Sequence, residues 1–155
     1  MRSIYLIFIL LLVNCKDPKE KSLDQLNRNK YSDSIEIPIS NKWYGKYSFV
    51  INENSDDWRD IHDISITINK DSVTYLAKGF QLYQLYKLSA IEKNNTLKLT
   101  FEKNLDNTDS WALKKTKDFG TITFDNKNYN WECPYIDISY NENKKVSYIL
   151  KKNIK

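Results

Sequence analysis

Apolar residues follow three regimes along the chain. Ile4 to Val13 is an unbroken apolar run after a short positive start at Arg2. A run of this length is too short to cross a bilayer as a helix but suits the apolar region of a secretory signal. Lys16 to Asn41 is polar and charged, carries Pro18 and Pro38, and keeps no sustained period, as expected of a flexible tether. From Trp43 onward the pattern has period two.

Along that third regime Trp43, Gly45, Tyr47, Phe49 and Ile51 fall on one face. Ile64, Ile66 and Ile68 alternate with Ser65 and Thr67, and Val73-Thr74-Tyr75 follows a turn-type cluster at Asn69-Lys70-Asp71. Phe80, Leu82, Gln84, Tyr86 and Leu88 share a face of one long strand, with Tyr83 and Leu85 on the other. Leu97, Leu99 and Phe101 alternate with Lys98 and Thr100. Ile122 and Phe124 precede the turn Asp125 to Asn128, and Tyr129, Trp131 and Cys133 follow it. Ile136, Ile138 and Tyr140, then Val146, Tyr148 and Leu150, complete the series. Short β-rich runs about every ten residues, split by Asn/Asp/Lys clusters, predict an all-β domain. The expected form is one antiparallel meander closing into a barrel or sandwich of about eight to ten strands. No amphipathic helix of useful length is expected after the signal. Three segments result: a signal over 1–14, a tether over 15–41, and the β domain over 42–155.

Composition narrows the classes. Net charge is +4, with Lys interspersed among Asp and Glu, which reads as solvated surface and not as the clustered basic face of a nucleic-acid binder. Eleven Tyr, four Trp and six Phe are many for this length, and Tyr and Trp serve both core walls and binding surfaces. The chain has only Cys15 and Cys133, so a disulfide framework is not expected if Cys15 is modified. Cys133 shares a strand face with Trp131 and is expected to be a buried, inert thiol.

Leu12-Val13-Asn14-Cys15 resembles the lipobox of bacterial lipoproteins. That resemblance implies cleavage before Cys15 and lipidation of its thiol. Three acyl chains exceed the two signals that stable anchoring needs, so the protein would be anchored to a membrane and not span it. Cys15-Lys16-Asp17 is similar to sorting signals of gram-negative lipoproteins, and Lys16 at the second position points to the outer membrane. Lys42 to Phe49 resembles the opening strand of lipocalin-like (calycin) barrels. Gly79-Phe80-Gln81 as a central strand and Tyr129-Asn130-Trp131 as a late one are similar to small uncharacterised bacterial lipoprotein domains. The resemblance implies a barrel and carries no activity with it.

Candidate chemistry is sparse. The single histidine, His62, sits between two strands in Trp58 to Asp63 and reads as a solvated loop residue. No nucleophile elbow, phosphate loop or zinc-ligand spacing accompanies it, so neither catalysis nor a cofactor is expected. Asn52 to Asp60 is acidic, but it lacks the glycine and bidentate Glu of a calcium loop. It also looks like the longest polar connection of the domain. Trp58 within it is either an exposed contact residue or a lid folded over a barrel end. Trp58 with Asp56, Asp57 and Asp60 forms the first candidate binding set, with Tyr83 and Leu85 of the central strand next. The expectation is a lipid-anchored envelope protein, non-catalytic, that blocks or captures another protein in the manner of an inhibitor or immunity protein. The alternative is a lipocalin-like carrier holding a small apolar ligand in an internal cavity.

Overall fold

The structure is a computed structural model that describes residues 39–153. Eight antiparallel strands follow one another around a closed barrel. They are β1 (Gly45–Ile51), β2 (His62–Ile68), β3 (Val73–Gly79), β4 (Leu82–Lys93), β5 (Thr96–Asn104), β6 (Asp118–Phe124), β7 (Tyr129–Glu132) and β8 (Ser147–Asn153). Period-two patterning builds this barrel because inward positions are apolar and outward ones polar. Ile64, Ile66 and Ile68 are fully buried, as are Tyr47, Tyr75, Tyr86, Leu97, Leu99 and Trp131. Lys46, Asp63, Lys78 and Lys98 point outward and are exposed. That polarity is the reverse of a lipid-facing barrel. Ring closure removes free sheet edges, and the described residues enclose a hydrophobic core of their own, as an independently folding domain does.

The interior is filled with aromatic rings. Phe119 stacks on Tyr135 at 4.4 Å, Tyr75 stacks on Tyr86 at 5.6 Å, and Tyr47 meets Tyr129 edge-on at 4.9 Å. The Trp131 indole donates to the Phe119 carbonyl at 2.7 Å. Gly120 makes close packing possible: its φ is +76°, and a Cβ there would collide with the Glu132 carbonyl.

Three sequence expectations need correction. Ile136, Ile138 and Tyr140 belong to a helix, α1 (Pro134–Tyr140), and not to a strand. Pro134 has no N–H for a ladder and its fixed φ suits the first helical turn. Phe80 and Gln81 are a tight turn between β3 and β4, not part of a central strand, with Gln81 at φ +52°. His62 is the first residue of β2, half-buried, not a loop residue in solvent.

Candidate functional site: the loop end of the barrel

All the long connections gather at one end. The β1–β2, β5–β6 and β7–β8 connections lie there with the Phe80–Gln81 turn, while 69–72, 94–95 and 125–128 are the short turns at the other. The β7–β8 connection closes the loop end. α1 drops Tyr135 into the barrel, where its hydroxyl donates to the Gln84 side-chain oxygen at 3.0 Å. The Ser110 hydroxyl lies 3.0 Å and the Tyr86 hydroxyl 3.3 Å from the Tyr135 hydroxyl oxygen, and Tyr140 donates to the Gln84 side-chain oxygen at 3.3 Å. Burial first, then the neighbouring tyrosine, pushes the Tyr86 hydroxyl above its ordinary range.

Trp58 stands on this end, 65% exposed, so it is not a lid over the core. Its support is local. Asp57 caps a single 3-10 turn, Trp58–Asp60, by accepting the Arg59 N–H at 3.0 Å, and it also binds the Arg59 guanidinium at 2.5 Å. The guanidinium holds the Asp57 carboxyl below its usual range. Asn52 donates to the Asp60 carbonyl at 3.2 Å and ties the loop's ends together. The Trp58 ring rests on Phe80, with centroids 5.0 Å apart and planes at 80°. Phe80 is itself 43% exposed, so the pair forms an apolar knob.

The sequence candidates therefore divide. Trp58, Asp56 and Asp60 are exposed on the knob. Asp57 is committed to Arg59 and lends its charge to the loop's own structure. Tyr83 lies on the outer wall of β4, 48% exposed, with the Lys78 ammonium 5.9 Å above its ring. Leu85 is half-buried, because the β5–β6 connection lies along its backbone: Leu105 N–H donates to the Leu85 carbonyl, and the Asp106 carboxylate takes the Leu85 N–H, both at 2.8 Å. Cys15 lies outside the described residues.

Residues 105–117, not 52–61, make the longer strand-to-strand connection, and they hold a second exposed tryptophan that the sequence does not single out. Trp111 sits between Ser110 and Ala112, which are both buried, so its ring is held outward by its neighbours. Lys114 pairs with Asp109 at 2.8 Å, the Lys117 ammonium lies 4.2 Å over Phe101, and Lys115 is exposed.

His62 joins the rim from below. Its ring packs on Tyr140 at 5.1 Å, and Gly79 leaves the space that its Nδ1 occupies. Burial lowers its pKa against the opposing pull of Asp60, so the imidazole is neutral near pH 7. Cys133 is fully buried, and burial pushes its thiol well up, which keeps the nucleophilic thiolate form scarce. Among the described residues no group of three or more His, Cys, Asp or Glu side chains is placed to hold a metal ion. Two clefts open on the surface. One, of about 210 Å³, lies where β1 and β8 diverge above their three paired residues, beside Phe49, Tyr140 and Val146. The other, of about 400 Å³, runs along the wall past Asp118, Glu132 and Lys145. Comparison with known protein families, curated proteins and solved structures finds no match.

Proposed function

We propose that this protein is a lipid-anchored binding protein of the cell envelope that captures or blocks another protein with the loop end of its barrel. The observation that carries this reading is the contrast between a filled interior and an aromatic rim. Tyr47, Tyr75, Tyr86, Phe119, Trp131 and Tyr135 occupy the space a carrier would need, while Trp58, Phe80 and Trp111 are exposed on the rim and Tyr83 on the wall beside it. Preorganised exposed aromatics are the usual anchors of protein interfaces. Around Trp58 the uncommitted carboxylates of Glu53, Asp56 and Asp60 favour a partner with a basic face. The lipocalin-like architecture then serves as a scaffold and not as a container. The lipid at Cys15 and the tether of residues 15–41 would hold that scaffold at the outer membrane.

Two experiments test the two halves. Affinity capture from envelope extracts, run side by side with the unmodified protein and Trp58→Ala, should yield a species that the variant loses. Identical captures would remove Trp58 from the binding face. Mass spectrometry of the mature N-terminus should find acylated Cys15, and an unmodified terminus elsewhere would sink the anchoring half.

A further inference from the structure

Two connections on the rim are complementary to each other. The strands follow one another in sequence around the ring, so the β1–β2 and β5–β6 connections are four strand positions apart and stand on opposite sides of the loop end. The first is acidic: Arg59 is spent on Asp57, which leaves Glu53, Asp56 and Asp60 without a basic partner among the described residues. The second carries net positive charge: Asp109 is paired with Lys114, and Lys115 and Lys117, with no salt-bridge partner among the described residues, outnumber the remaining carboxylate, Asp106. Each presents a tryptophan, Trp58 at 65% and Trp111 at 59% exposure.

A two-fold axis lying across the rim, from the Phe80–Gln81 turn to the α1 side, exchanges these two positions. A second copy placed by that axis sets its basic connection on the first copy's acidic one, and the reverse contact forms by symmetry. We propose that two copies of this chain dock rim to rim, each Trp58 loop against the other's Trp111 loop. The contact uses the face assigned above to partner binding, so it rests on that assignment and adds a regulation to it. The pair covers both tryptophans until a heterologous partner competes for them. Charge of opposite sign at two facing positions steers and registers such a contact.

The test uses residues 36–155 and sedimentation equilibrium. The mean mass should rise from one chain to two between about 10 μM and about 1 mM, the weak range expected of a small contact. Raising the salt from about 0.05 M to about 0.5 M should weaken the association about tenfold, because these charges are exposed. Asp56→Lys with Asp60→Lys makes a rim that is basic on both sides. Lys115→Glu with Lys117→Glu makes one that is acidic on both sides. Each double variant alone should stay single at about 1 mM, and an equimolar mixture should recover the two-chain mass at least as readily as the unmodified protein. Recovery on mixing also shows that both variants are folded. A single-chain mass for the unmodified protein at about 1 mM overturns the proposal, and so does a mixture that fails to pair. A chain that stays single yet loses its captured partner with Trp58→Ala defeats the dimer and leaves the binding reading standing. One that pairs but captures nothing does the opposite.

Discussion

The two ends of this barrel are made from the same strands yet are built for different ends. At the turn end the chain reverses in two to four residues. Asn94 and Asn95 alone link β4 to β5, both in the left-handed region that such a turn requires, and the Asp125 carboxylate caps its own turn through the Lys127 and Asn128 N–H groups. Trp43 plugs this end, buried against Tyr129, and the inward ammonium of Lys152 sits 5.2 Å over the rings of Tyr47 and Tyr129 while donating to the Lys42 carbonyl. At the loop end the plug is Tyr135, and around it the chain spends long connections on holding Trp58 and Trp111 in solvent. Exposed tryptophan surface costs stability at the loop end, whereas the exposed large apolar side chain beside the short turns is the aliphatic Ile91. A barrel whose buried core sets its stability can tolerate that cost, which is why binding residues so often sit on loops over rigid scaffolds.

The largest expected effects come from removing either plug. Trp43→Ala and Tyr135→Ala should each cost about 3–5 kcal/mol in urea unfolding, since both are fully buried large aromatics. Leu99→Ala, on the wall shared by both ends, should cost about 2–5 kcal/mol. A loss at Tyr135 far below that at Trp43 would mean that α1 is a mobile cover and not a plug. Tyr135→Phe sharpens the point: it keeps the ring and removes the donor to Gln84, and should cost about 1–2 kcal/mol for the buried groups left without their partner.

The rim should behave in the opposite way. Trp58→Ala should change stability by under about 0.5 kcal/mol, as a surface substitution does, while weakening partner binding by more than about 1 kcal/mol. A strong fall in melting temperature would instead show that the Trp58–Phe80 contact braces the loop end, and would move the binding face toward Tyr83. Charge reversal at Asp56 and Asp60 should slow association mainly at low salt, which stopped-flow mixing reads directly. Reversal of Asp57 should act differently, by loosening the capped turn.

What the sequence could reveal follows the same division. The strands were legible because one face of each is buried, and burial on one side of a pleat writes period two into the chain. The helix was not, because Ile136, Ile138 and Tyr140 also alternate; Pro134 and the first-turn Asp137 were the available signals against a strand. Phe80 looked like a strand residue because nothing local marks its turn apart from Gly79. Trp58 was legible as an odd residue in a polar loop. Trp111 was not, since its outward pose depends on the burial of Ser110 and Ala112, which is a tertiary fact. The commitment of Asp57 to Arg59 was equally hidden, because the charge count of a loop does not say which charges are already paired.

The smallest effect separates the two ends by pH. Glu92 at the turn end accepts from Lys42 at 2.7 Å, from the Ser40 N–H at 2.9 Å and from the Ser40 hydroxyl at 3.1 Å. Burial alone would raise its pKa, but these donors outweigh it and hold the carboxyl at about 2, down from 4.5. A carboxyl depressed in the folded state favours folding while it is ionised. Its contribution is therefore complete above about pH 4.5 and fades as pH falls toward about 2. Lys42 is nearly half exposed, so solvent screening limits the contribution to about 1 kcal/mol or less. Asp57 at the loop end is also depressed, but its side chain is more than a third exposed and it ties only its own turn. Urea midpoints at about pH 6 and about pH 3 should therefore fall less steeply for Glu92→Gln than for the unmodified protein, while Asp57→Asn should flatten the slope in the same direction and by less. Equal slopes for Glu92→Gln and the unmodified chain would mean that the Ser40–Lys42 segment detaches before the barrel unfolds, and that the turn end is fastened by Trp43 alone.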